Sequence, residues 1–385
     1  MSNKKSTSSG KPEKVIEIRL SFLIAFIITV VVLIGVIITV FVIANLDRDN
    51  TPDISGGNKD KSKTEQKVTT ADPSLAAGLN KTPLYPTTET RTSYKISTSA
   101  DVVKLTDDSF ITSNNTVLVK VGANSLTSVV EKNADAKMYP ASMTKVMTLL
   151  VACERVTDLD TMLTIEEKHL NYLLGSDGGS SFFGADPDNV GEKISVRDAL
   201  YLISYKSDTM ACHLIADHIA GSEEAFVELM NQKAQALGLT GTHFVNCTGL
   251  YNVEHYSTCK DIASIMAYAM DNELARTILF SMSAYSFESD KFYKKADPTK
   301  KVTYTLYMPD WYGERFNKNN KLSSCTVIAG KTGYVDESGM SLVSVAKTDD
   351  GEFYINVIVG KPKGSGLNAE KSTAEVKKIY NTYVK

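Results

Sequence analysis

The strongest pattern in the chain is an apolar run from Leu20 to Leu46, 27 residues without a charged side chain. About 20 apolar residues in a helix cross the roughly 30 Å of hydrocarbon in a bilayer, so residues 20–46 predict one transmembrane helix with some tilt. Lys4, Lys5, Lys11, Lys14 and Arg19 precede it, and Asp47, Arg48 and Asp49 follow. The positive-inside rule then predicts residues 1–19 as a cytoplasmic basic tail and everything after 46 as extracytoplasmic. A cleaved signal peptide is the rival reading, with Val42-Ile43-Ala44 as a small-residue site. The run is far longer than the usual ~7–15 apolar residues of such a peptide, which favours an uncleaved anchor. Residues 47–98 are rich in Thr, Ser, Lys, Asp, Gly and Pro and read as a flexible polar linker.

Residues 99–385 change character. Val117-Leu118-Val119-Lys120-Val121 reads as a strand, and a helical pattern starts after Pro140. Further helices are predicted over Val196–Ile219 and Glu223–Leu237, the latter stopped by Gly238. Three β-rich runs follow late in the chain, Thr326–Val335, Met340–Lys347 and Glu352–Val359, joined by the short turn-like links 336–339 and 348–351. Such short links make neighbouring strands antiparallel. A closing helix is predicted over Ala369–Tyr383. Helices in the middle and a late antiparallel sheet indicate an α+β domain.

A net charge of −3 offers no basic surface for a nucleic acid. The five cysteines, Cys153, Cys212, Cys247, Cys259 and Cys325, lack the CxxC spacing of a zinc or redox site and read as small buried hydrophobes, with a Cys247–Cys259 bridge as the alternative. Among the five histidines only His213 and His218 lie close in sequence. Five residues apart, they fall on different faces of a helix and give little support to a metallopeptidase.

Ser142 is the candidate nucleophile, in Tyr139-Pro140-Ala141-Ser142-Met143-Thr144-Lys145. Three residues apart at a helix start, Ser142 and Lys145 share a face. A lysine can take the serine proton when burial or a neighbouring cation lowers its pKa. Ser-x-x-Lys alone is weak, for it recurs at Ser2, Ser8, Ser257 and Ser344. Lys331-Thr332-Gly333, followed by Tyr334, lies on a predicted strand whose alternation places Lys331 and Gly333 on one face. Glycine there allows close approach of a ligand strand. Ser207-Asp208-Thr209 offers a second hydroxyl for proton relay, or simply a helix N-cap.

Together these three motifs, in this order and spaced by 65 and 124 residues, resemble the active-site set of penicillin-interacting serine enzymes. The phrase from Tyr139 to Thr148, with His218–Ser222, Asn246–Leu250, His255–Thr258 and Gly330–Tyr334, is similar to the low-molecular-mass D-alanyl-D-alanine carboxypeptidases over roughly residues 100–360. The resemblance implies a penicillin-binding or β-lactamase-like domain, an antiparallel sheet packed with helices plus a helical subdomain. It implies that Ser142 attacks the carbonyl between two terminal D-alanines of a peptidoglycan stem peptide, with Lys145 as base and Ser207 as proton shuttle. Lys331 and Thr332 would hold the terminal carboxylate, the backbone N–H groups of Ser142 and Tyr334 the oxyanion, and β-lactams would be trapped on Ser142. No cofactor is implied.

One position departs. The family's triplet is usually Ser-x-Asn, and Thr209 stands at the asparagine, losing an amide's separate donor and acceptor. Two other readings therefore remain: a cell-wall-binding module without turnover, and a class A β-lactamase. The β-lactamase needs a Glu-x-x-Leu-Asn between the second and third motifs, whereas Glu167-Lys168-His169-Leu170-Asn171 precedes Ser207.

Overall fold

The segment Phe353–Val359 is buried along its whole length, and its side chains divide between two cores with the period of two that a strand imposes. Phe353, Ile355, Val357 and Val359 face one core, Tyr354 and Ile358 the other. That strand lies inside a sheet covered on both faces. The computed structural model describes residues 91–106, 110–173, 179–289, 302–364 and 369–385. The expected cytoplasmic tail, transmembrane helix and linker up to residue 90 lie outside the described residues. Among the described residues no helix is long and apolar enough to cross a membrane.

The strands are β1 (Ile96–Lys104), β2 (Asn115–Val121), β3 (Leu126–Lys132), β4 (Met162–Thr164), β5 (Lys193–Ser195), β6 (Tyr285–Ser289), β7 (Val302–Leu306), β8 (Cys325–Val335), β9 (Gly339–Thr348) and β10 (Phe353–Val359). The helices are α1 (Lys145–Arg155), α2 (Glu167–Asn171), α3 (Val196–Lys206), α4 (Thr209–Ala220), α5 (Glu223–Ala236), α6 (Cys259–Asp271), α7 (Glu273–Leu279) and α8 (Ala369–Tyr383). The main sheet has six strands in the order β1-β3-β2-β10-β9-β8, antiparallel except for the parallel pair β1 and β3. The three late strands and the closing helix stand within a residue of their predicted bounds.

The sheet's two faces are served by different parts of the chain. Val117, Val119, Val343, Val345 and Val357 face the middle helices, with Val146, Leu150 and Ile262 in the same core. Leu118, Leu342, Ala346 and Ile358 face α8 through Val376, Ile379 and Tyr380. Tyr380 is fully buried, and its hydroxyl donates to the Ser344 carbonyl at 3.0 Å, which satisfies a polar group that would otherwise cost stability there.

Two expectations change. The linker was expected to run to Thr98, yet Arg91 and Tyr94 are buried and β1 starts at Ile96. Arg91 pairs with Asp271 at 3.1 Å, and Tyr94 Oη donates to the same carboxylate at 2.8 Å, so long-range contacts order a segment of polar composition. The helix expected over Val196–Ile219 is two helices. Ser207 caps the first in the left-handed region (φ 55°), and the Asp208 carboxylate caps the second by accepting the Ala211 N–H at 2.8 Å. The cysteines, by contrast, are free as read, without the alternative Cys247–Cys259 bridge, and each but the half-buried Cys153 is buried.

Candidate active site

Ser142 sits in a single 3-10 turn, Ala141–Thr144, that leads directly into α1. Pro140 fixes the approach, and Ala141 takes a positive φ of 50°, a strained conformation for a residue with a Cβ. Two glycines hold that turn from either side. A Cβ on Gly249 would stand 1.9 Å from the Ala141 carbonyl oxygen, and one on Gly333 would stand 3.3 Å from the Ser142 nitrogen. At Gly249 only a residue without a side chain can pass that close, while at Gly333 the fit is tight.

Lys145 is 2% exposed, the first residue of a helix buried along its first two turns. Its Nζ lies 3.1 Å from Ser142 Oγ and donates to the Thr248 carbonyl at 2.6 Å. Burial lowers its pKa, against the weaker opposing pull of Cys212, Cys247 and Asp208. Burial thus favours the unprotonated amine, the form in which a lysine beside a serine hydroxyl can act as general base.

Lys331 reaches the site because of a register shift. In β8, Cys325 and Val327 face the α8 core, yet Ala329 faces the other core, because the pairing with β9 slips between Val327 and Ala329. One inserted residue reverses which face the following side chains occupy. Lys331 and Gly333 thereby face Ser142, as alternation predicts. Lys331 Nζ donates to Ser207 Oγ at 2.9 Å and to the Thr332 carbonyl at 3.1 Å. Thr332 is half-buried, and Tyr334 is exposed with its hydroxyl donating to Asp336 at 2.6 Å. β8 is an edge of the sheet, so an extended peptide can pair with it beside Ser142.

Ser207 thus reaches the site from the break between α3 and α4. Asp208 is fully buried and raised in pKa by burial, but it accepts from Phe182 N at 2.6 Å and Ser181 Oγ at 3.1 Å as well as capping α4. It fixes the loop at 181–182. Thr209 differs from expectation in its surroundings. It is 2% exposed, its N–H donates to the Ser180 carbonyl at 2.8 Å, and a Cβ on Gly179 would fall 1.8 Å from its hydroxyl oxygen. The hydroxyl therefore abuts the backbone of the loop.

Three positions in the quoted phrases acquire roles that spacing could not assign. The Asn246 side chain accepts from Gly249 N at 2.7 Å and shapes the loop that presents the Thr248 carbonyl to Lys145. Thr148 Oγ1 donates to the Cys247 carbonyl at 2.6 Å, tying that loop to α1. His255 is buried, and burial lowers its pKa to about 3, so it is neutral. Its Nδ1 accepts the Val245 N–H at 3.2 Å, which places the proton on Nε2 for donation to Thr144 Oγ1 at 2.8 Å. The segment from Ser281 to Ser324 contributes the antiparallel pair β6–β7. Phe287 and Tyr304 from that pair pack with Phe182, while Trp311 lies against Gly330.

The family model for D-alanyl-D-alanine carboxypeptidase matches residues 102–363, well over half of the chain and all three motifs. The chain belongs to that family. D-alanyl-D-alanine carboxypeptidase DacF of Bacillus subtilis is 32% identical over 220 residues, 56% of this chain and 50% of that protein. DacA of Escherichia coli is 30% identical over 261 residues, 66% of this chain and 57% of that protein. The chain therefore spans about half the length of the curated relatives it matches. Among solved structures, the Streptomyces K15 DD-transpeptidase superposes with a TM-score of 0.58 at 25% identity, covering 73% of this chain and 99% of that one. The α+β fold of this carboxypeptidase-family domain is thus the one its motifs imply.

Proposed function

We propose that the chain is a serine D-alanyl-D-alanine carboxypeptidase that removes the terminal D-alanine from peptidoglycan stem peptides. The observation that carries this reading is the buried Lys145 amine 3.1 Å from Ser142 Oγ. Lys145 takes the hydroxyl proton as Ser142 Oγ attacks the penultimate D-alanine carbonyl. The oxyanion accepts from the backbone N–H groups of Ser142 and Tyr334, a reading supported by the close passage of Gly333 beside the Ser142 nitrogen. Lys331 holds the terminal carboxylate together with Thr332, and Ser207, bonded to Lys331, passes the proton to the departing amine. The peptide C–N bond breaks, free D-alanine leaves, and an ester on Ser142 remains. Water then attacks the ester, with Lys145 again as base, and releases the shortened peptide. A β-lactam opens on Ser142 by the same attack but leaves no departing group, so the ester persists.

Thr209, against the Gly179 backbone, supports the wall of this site in our reading. The apolar run at 20–46 is read as a single-pass anchor that places the domain outside the cytoplasmic membrane.

The test is intact mass of the purified full-length protein after addition of a penicillin, with D-alanine release from a peptide ending in D-Ala-D-Ala measured alongside. A stoichiometric lasting adduct, absent from Ser142→Ala, and D-alanine release are expected. Drug consumed without a lasting adduct would show a β-lactamase. A folded protein giving neither adduct nor drug loss would show a binding module.

A further inference from the structure

Behind the Lys145 site, three side chains from separate elements converge: His213 of α4, Glu223 at the start of α5, and Cys247 of the loop that follows. His213 Nδ1, a Glu223 carboxylate oxygen and Cys247 Sγ all lie within 4.8 Å of one another. We propose that they form a binding site for a thiophilic divalent metal ion of the zinc class, which clamps the loop holding Lys145.

The donors suit such an ion. Tetrahedral zinc takes imidazole, carboxylate and thiolate at about 2.0–2.3 Å, which sets neighbouring ligand atoms roughly 3–4 Å apart. His213 Nδ1 stands 3.5 Å from Glu223 Oε2 and makes no hydrogen bond, although its side chain is only 3% exposed. A buried ring nitrogen left without a partner is costly, and coordination removes that cost. Tyr172 stacks on the imidazole, ring centroids 3.4 Å apart and planes nearly parallel, and fixes its orientation. With no hydrogen-bond partner, the Nδ1 position is free to coordinate. The Cys247 thiol is pushed up by burial and stays protonated without a metal. Binding forms metal–nitrogen, metal–oxygen and metal–sulfur bonds and releases the thiol proton to solvent, with water completing the coordination.

The consequence falls on the neighbouring backbone. Cys247 N–H already donates to Glu223 at 2.9 Å, its carbonyl accepts from Thr148, and the next carbonyl, Thr248, accepts from Lys145. An ion on Cys247 Sγ would tie that loop to α4 and α5. His218 diverges from His213 on the same helix, whereas the partners of His213 come from other elements. The ion takes no part in acyl transfer, so this inference stands independently of the proposed activity.

The test titrates the full-length protein, stripped with a chelator and kept reduced, with Co²⁺ as a coloured stand-in and then Zn²⁺ as competitor. One equivalent of Co²⁺ with a thiolate charge-transfer band and tetrahedral visible absorption is expected. Zn²⁺ should abolish both signals and raise Tm. Cys247→Ser should lose the charge-transfer band, His213→Gln should weaken binding by about 10–100-fold, and Cys212→Ser should keep both signals. No charge-transfer band, or a band that survives Cys247→Ser, overturns the proposal. Where Cys247→Ser does not fold, His213→Gln decides: unchanged Co²⁺ affinity in that variant overturns the site equally.

Discussion

Lys331 Nζ donates to Ser207 Oγ at 2.9 Å, joining an edge strand to the break between two helices 124 residues earlier in the chain. Neither group would be placed without a local irregularity. The bulge in β8 turns Lys331 toward the helices, and the left-handed Ser207 ends α3. Lys331→Ala should leave the fold intact and slow acylation by a penicillin by about 10²–10⁴-fold, as expected for loss of a positioned proton-transfer and anion-binding pair. Ser207→Ala should lose a similar factor. The double variant should lose little more than either alone, because the two groups act as a unit. Adduct formation followed by intact mass measures all three, and additive losses would show that the pair does not cooperate.

Lys145 should make acylation and stability respond to pH in the same direction. Burial lowers its folded pKa below the unfolded value of 10.5, so the unfolded chain binds more protons between the two. Its contribution to stability therefore rises with pH across that window and is unfavourable below it. Acylation should fall on acidification through the lowered pKa, as the amine that accepts the Ser142 proton becomes protonated. Lys145→Met should form no adduct yet raise Tm at neutral pH by roughly 2–4 °C, the shift that about 1 kcal/mol gives a domain of this size. Thermal melts of the two proteins check the sign, and an unchanged or lower Tm would contradict a costly buried amine.

Gly249→Ala should be severe for two reasons. Its φ is +81°, and the new Cβ would stand 1.9 Å from the Ala141 carbonyl oxygen, where only main-chain movement gives relief. A loss of about 2–4 kcal/mol in stability is expected, with acylation reduced further because the Ser142 turn must shift. Denaturant melts and adduct rates together separate the two effects.

His255 predicts acid sensitivity. Its folded pKa is lowered to about 3 by burial, against 6.5 unfolded, so between those values the unfolded chain binds the extra proton. Stability contributed by the neutral ring is full above pH 6.5 and declines as pH falls toward 3. His255→Gln should flatten that decline while keeping a donor for Thr144. Denaturant midpoints measured across this pH range check it, and an unchanged slope would mean that other groups dominate.

The parts of this protein legible in the sequence are those set by local spacing. Ser142 and Lys145 are one helical turn apart, so their meeting needed only the turn at Ala141–Thr144. The late strands and α8 were legible because turn residues and alternation mark them within a few positions. Three features depended on contacts between distant segments. The 91–98 segment is polar in composition and joins the domain only because Asp271 awaits Arg91 and Tyr94. Thr209, matched to a substrate-contacting position, is buried because loop 179–182 folds over it, with Asp208 holding that loop. The Lys145 amine has a lowered pKa because a buried helix start removes its water, and its acceptor is Thr248, 103 residues away. Spacing sets which groups share a face, whereas desolvation and hydrogen-bond partners arise only when remote segments pack against them.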